Sequence, residues 1–206
     1  MAFPKNVQTP RGVELQAIIN ATPPTEFANW PTPTKDDYVL IGGTIALFSY
    51  IDLSLRRLAE IFDHANLLTD SWKGKGATLS MAQTAIAVRT APVWAPGDAE
   101  VLEEIEEHRR MRNMFAHCPM KRFPNDDALA FFYRNTRDFE KLFGEAAPLG
   151  TLINMAGDVQ PMKEAVGRLE KQQTWLGIVA GSFEMQLGTL PDAGYVQSSE
   201  GNVSSS

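Results

Sequence analysis

Residues 108–122, HRRMRNMFAHCPMKR, gather His108, Arg109, Arg110, Arg112, His117, Lys121 and Arg122 without an acidic side chain. The chain as a whole carries a net charge of −6. This segment is therefore a local reversal of sign, able to draw in a polyanion that the acidic body would repel. The residue types suit phosphodiester cleavage. A histidine titrates near neutrality and can move a proton to or from a ribose hydroxyl or a leaving oxygen. An arginine offers a fixed cationic fork to the phosphate charge that grows in the transition state. An asparagine can orient the histidine or bind a phosphate oxygen. RNA carries its own 2′-hydroxyl nucleophile, so this chemistry needs no metal, cofactor or protein nucleophile.

The candidate catalytic residues are Arg112, Asn113 and His117, with Arg109, Arg110, Lys121 and Arg122 as candidate substrate-binding cations. Asn113 and His117 are four apart and share a helix face. Arg112 falls on an apolar stripe with Val101, Ile105 and Phe115, so it should point towards a packed surface. On one regular helix Arg112 and His117 lie about 140° apart. Either Pro119 loosens the last turn, or the two groups meet across a partner chain. Blander roles exist for the same residues. An acid-first, base-last helix complements its own dipole, and a histidine near a helix C-terminus can cap carbonyls.

The elements that position this segment read as helices. Thr34 and Asp37 have capping-box spacing. Ile41, Ile45, Phe48, Leu55, Ala59 and Phe62 then mark one face of a helix of roughly 25 residues, with a second stripe at Leu40, Leu47, Ile51, Leu58 and Ile61. Asp52 stands where the first stripe would continue, either as the buried partner of an arginine or at the stripe's edge. SWKGKG at 71–76 reads as a loop, and Thr78–Thr90 as a shorter helix. The motif-bearing helix runs from about Asp98 to His117, where Pro119 ends it. Residues 121–143 fit a capped helix ending at Gly144 and fit equally two short strands around a PNDD turn. A last helix begins at Pro161, with Met162, Val166, Leu169, Leu176, Ala180, Phe183 and Leu187 on one face. The stripes of the first and last helices suit a core or a dimer interface. The expected fold is mainly α, a helical bundle with room for a small β-hairpin between its last two core helices.

Composition bounds the rest. The chain has 206 residues, 44% hydrophobic and 21% charged, enough for one domain with a real core. The expected division is an N-terminal arm and connector over 1–35, including a short helix at Val13–Ala21 and a proline-rich stretch at 22–36. A helical domain follows over 36–190, then a disordered tail over 191–206. No apolar run approaches the ~20 residues of a membrane span, and the start lacks a secretory leader. A single cysteine, Cys118, forms no intrachain disulfide and no thiolate zinc site, so a cytoplasmic protein is expected. There is no HExxH pair, no phosphate loop and no G-x-S-x-G elbow.

The hexapeptide RNMFAH resembles the signature of the HEPN superfamily (higher eukaryotes and prokaryotes nucleotide-binding domain). That signature has an arginine, an adjacent polar residue and a histidine five positions after the arginine. FSYIDLSLRRL at 48–58 resembles the family's leading core helix, where an acidic residue often sits. The resemblance covers about 36–187. It implies a metal-independent endoribonuclease of toxin–antitoxin, abortive-infection or other defence systems, with no cofactor. Single-stranded RNA would be the substrate, and a homodimer would bring two motifs into a shared cleft beside an antitoxin partner. Arg112 and His117 become catalytic, Asn113 the accompanying polar residue and Asp52 an acidic helper. Pro119 stands where some family toxins carry a tyrosine that a partner adenylylates, so that control is not expected. The competing expectation is a non-catalytic helical dimer that binds a nucleotide or a protein partner.

Overall fold

Thr34 starts the principal helix as its spacing requires. Its hydroxyl accepts from the Asp37 amide at 3.3 Å, while the Asp37 carboxylate accepts from the Thr34 amide at 2.7 Å. Two otherwise unpaired backbone donors are thereby satisfied. In this computed structural model, which describes residues 9–132 and 154–187, that helix (α2) spans Lys35–His64 over 30 residues. Both apolar stripes are largely interior, with Phe48, Ile51, Leu55, Leu58, Ala59 and Phe62 buried. So broad a face takes several neighbours: α3 (Met81–Arg89), α4 (Pro96–His117) and α5 (Val159–Leu187).

The chain leaves α2 through a tight loop at 65–76. Asn66 and Gly74 take positive φ there, at 56° and 71°. The Asp63 carboxylate accepts from the amides of Gly74 at 2.6 Å and Gly76 at 2.9 Å. A Cβ at position 76 would stand 2.9 Å from the Ala59 carbonyl oxygen, so glycine is what lets this loop lie on α2. Ser80 and Gln83 form a second capping box, which starts α3 at Met81 rather than at the expected Thr78.

The alternatives over 121–143 resolve in favour of strands as far as residue 132; residues 133–143 lie outside the described part. β1 (Met120–Arg122) pairs with β2 (Ala128–Phe132), and β2 pairs with β3 (Asn154–Asp158), in an antiparallel sheet of order β1-β2-β3. The fold is thus mainly helical, with a small sheet between α4 and α5. β2 is its centre and is covered on both sides. Leu129 and Phe131 pack with Met111, Met114 and Phe115 of α4 and with Val159 and Met162 of α5. Ala128 and Ala130 meet Leu15 and Ile19 of α1 (Pro10–Ala21), together with Phe27, Trp30 and Phe123.

The N-terminal arm and connector over 1–35 are more ordered than an extended linker from residue 9 onward. Glu26–Asn29 forms a 3-10 turn, and the rings of Phe27 and Trp30 meet edge-on at 4.9 Å. One further expectation changes. α2 is long and apolar enough by composition to cross a membrane, although a core helix passes the same test. The tail from residue 191 lies outside the described part.

Candidate functional site

The motif lies on the last two turns of α4, which stays regular to its end. The Cys118 amide donates to the Met114 carbonyl at 2.9 Å, and Cys118 itself is extended ahead of Pro119, at φ −96° and ψ 130°. The last turn is not loosened. Arg112 and His117 therefore keep the wide angular separation of a straight helix, and no bend of α4 brings them together within one chain.

His108 is wholly buried, which removes it from the cationic surface expected of this segment. Its Nδ1 lies 3.2 Å from Gln172 Oε1, so Nδ1 carries the proton. The Gln172 amide donates to Glu104 at 2.6 Å, and Arg168 Nε donates to the other Glu104 oxygen at 2.9 Å. Burial pushes the His108 imidazole below its usual range, against the raising influence of Glu104 and the Gln172 contact. Its Nε2 has no hydrogen-bond partner among the described residues. His108 is a neutral core histidine tying α4 to α5.

Arg109 corrects a second expectation. It is 9% exposed, which leaves little of it for a substrate. Its Nη1 donates to Asp52 at 2.7 Å and its Nε to Glu106 at 3.0 Å. The guanidinium lies 5.6 Å from the centroid of the Phe48 ring. Burial opposes its charge, but the two carboxylates outweigh burial and raise its pKa. Asp52 is thus the partner of an arginine, as one of its two readings held, and that arginine is Arg109 rather than Arg112.

The cations after the motif are likewise engaged by the fold. Lys121 Nζ donates to the carbonyls of Trp30 at 3.0 Å and Ala28 at 3.2 Å, holding the connector on β1. Arg122 donates to both Asp37 oxygens at 2.6 Å and pairs with Asp127. Arg110 belongs to α4, and its side chain lies outside the described part.

Arg112 differs from these. It is half-buried, its Nη1 donates to the neighbouring Asn113 amide oxygen at 3.1 Å, and its Nε, like Nη2 of Arg109, is buried with no partner among the described residues. No carboxylate pairs with it among the described residues. His117 is exposed at the C-terminal end of α4, and Cys118 is buried. Arg112, Asn113 and His117 are therefore the motif residues left to meet a ligand. Among the described residues, no three His, Cys, Asp or Glu side chains are grouped to hold a metal ion.

Sequence reasoning missed the partners that neutralise the basic segment. Glu106 was legible as an i,i+3 neighbour of Arg109. Gln172 and Arg168 left no local signal, because the contacts between α4 and α5 span 64 to 68 residues. Compared with models of known families, with curated proteins and with solved structures, the chain matches none.

Proposed function

We propose that the protein is a dimeric, metal-independent endoribonuclease of the HEPN kind, acting on single-stranded RNA in a defence or toxin–antitoxin setting. The observation that carries this reading is that Arg112 has no carboxylate partner among the described residues. In an acidic chain, the neighbouring Arg109 and Arg122 both have carboxylate partners, whereas Arg112 meets only an amide among the described residues. A half-buried guanidinium without a carboxylate keeps its charge for a phosphate oxygen.

In the proposed reaction the substrate's 2′-oxygen bonds to phosphorus as an imidazole takes its proton. The bond from phosphorus to the 5′-oxygen breaks, and that oxygen receives a proton from an imidazolium. The products are a 2′,3′-cyclic phosphate and a 5′-hydroxyl. Arg112 stabilises the phosphate charge, Asn113 holds the guanidinium in place, and His117 transfers protons. Their separation on one straight helix makes the active unit a pair of chains, with Arg112 of one facing His117 of the other. Asp52 supports the site indirectly, by anchoring Arg109.

The test is cleavage of single-stranded RNA in the presence of EDTA. Wild type is expected to give cyclic-phosphate ends, and His117→Ala to lose at least about a hundred-fold in rate. Equal activity of the two proteins, or activity abolished by chelation, contradicts the mechanism.

One observation favours a second reading, a non-catalytic dimer that binds a nucleotide or a protein partner. Arg109, Lys121 and Arg122 serve the fold, which leaves few described cations to hold a long RNA. That reading expects nucleotide or partner binding dependent on Arg112 and no cleavage by the wild type.

A further inference from the structure

Along the side of α2 that meets α4, Tyr38, Ile45, Ser49, Asp52 and Arg56 follow one another at steps of seven, four, three and four, one row on a helix. Two contacts fix this row beside α4. Asp52 holds Arg109, and Ile45 packs against the cluster of Met111, Met114 and Phe115. The two helices run in opposite directions, since Asp52 meets Arg109 while Asp37 meets Arg122, beyond the end of α4. Arg112, one turn past Arg109, therefore lies between the levels of Tyr38 and Arg56. At about 1.5 Å per residue from the Asp52–Arg109 contact, Arg56 stands about 10 Å from Arg112 along the helices, and Tyr38 about 16 Å to the other side.

Both ends of the row are open. Tyr38 is 56% exposed. Arg56 is exposed and pairs with no carboxylate among the described residues, whereas its neighbour Arg57 pairs with Glu184. Ser49, between them, is small and exposed. We infer that this row is a strip that carries single-stranded RNA past Arg112, with a base stacked on the Tyr38 ring and a phosphate held by Arg56. An exposed ring stacks on any base and an exposed cation takes a backbone phosphate, the combination by which proteins hold single strands without reading their sequence. A duplex keeps its bases stacked inside and offers none to Tyr38. Asp52 and Glu106, the carboxylates beside the path, are both engaged by Arg109, which limits their repulsion of a phosphate.

The strip rests on the nuclease reading proposed above and names what holds the substrate on either side of Arg112. Its contacts come from α2, a helix outside the basic segment, so they add to the few cations that the segment itself leaves free. The test measures binding apart from cleavage, so strip and nuclease fail separately.

The experiment is fluorescence anisotropy of a labelled oligouridylate of about ten nucleotides, over a salt series, with the full-length chain carrying His117→Ala to prevent turnover. Adding Tyr38→Ala should weaken binding by about ten-fold or more, and Tyr38→Phe should leave it intact, since the ring is what stacks. Adding Arg56→Gln should reduce the slope of log affinity against log salt by about 0.7, the share of one phosphate on a single strand, and Arg56→Lys should keep it. The thermal melt should not move in any of these, because both side chains are exposed. Tyr50→Ala, 60% exposed on the outer side of the same helix, should bind like the parent. A His117→Ala protein that binds no oligouridylate overturns the strip. So does a Tyr38→Ala or Arg56→Gln variant that binds like the parent, or a Tyr50→Ala loss as large as that of Tyr38→Ala. A dimer lost through Tyr38→Ala in sedimentation would make the row an interface between copies and overturns it as well. Binding that depends on both residues, in a chain whose wild type cleaves nothing, keeps the strip and removes the nuclease; cleavage that needs neither residue does the reverse.

Discussion

Arg109 on α4 donates to Asp52 on α2 across 2.7 Å, with little of either side chain exposed. The family resemblance implied an acidic helper at Asp52, and the basic segment offered Arg109 as a substrate-binding cation. Together they form a clamp that fixes the motif-bearing helix to the core helix. Removing Arg109 leaves Asp52 poorly solvated, and removing Asp52 leaves the buried Arg109 with Glu106 alone. Arg109→Met and Asp52→Ala are each expected to lower stability by about 3 kcal/mol, read from urea unfolding. A loss under about 0.5 kcal/mol, ordinary for a surface substitution, would show that the pair is not a clamp.

Arg112 should behave in the opposite way. Its guanidinium is half-buried and meets no carboxylate among the described residues, so the fold gains little from its charge. Arg112→Met is expected to leave unfolding free energy within about 0.5 kcal/mol of wild type, or to raise it, while abolishing phosphate-dependent function. A destabilisation as large as that of Arg109→Met would make Arg112 a structural residue.

His108 supplies a pH dependence with a definite sign. Burial holds its pKa below the unfolded value of about 6.5, with Glu104 and Arg168 as the neighbouring charges. Below that value the unfolded chain binds a proton that the folded chain refuses. Stability should therefore be full above about pH 6.5 and fall as pH drops towards the folded pKa. His108→Gln should flatten this part of the profile, measured as unfolding midpoint against pH. A wild-type midpoint that rises on mild acidification would contradict the assignment.

Asp37 supplies a second one. Burial works to raise its pKa, but hydrogen bonds from the Thr34 hydroxyl and amide and from Arg122 outweigh burial and hold the carboxyl below its usual range. This contribution is present above the unfolded value of about 3.9 and is lost as pH falls below it. Thr34→Ala is expected to cost about 1 kcal/mol at neutral pH through loss of the cap. The difference between the two proteins should shrink in acid, once Asp37 is protonated in both.

The long helices were legible in the sequence because their signals are local. Thr34 and Asp37 are three apart, and the apolar stripes of α2 repeat at the helical period over 30 residues. The sheet was less legible for a physical reason. β2 is buried on both faces, so ALAFF shows no alternation to separate strand from helix. β3, NMAGD, is poor in strand-forming residues and owes its conformation to pairing with β2. The hexapeptide could be read because all six residues share one helix. The burial of His108 and Arg109 could not, since Gln172 and Asp52 lie 64 and 57 residues away.

The most direct measurement is complementation in EDTA between two inactive variants, Arg112→Ala and His117→Ala. If the fork of one chain works with the imidazole of the other, a mixed dimer carries one intact site. An equimolar, re-equilibrated mixture should then recover about a quarter of wild-type RNA cleavage, while each variant alone stays inactive. A mixture as inactive as its components, from proteins shown to exchange subunits, would contradict a site shared between chains.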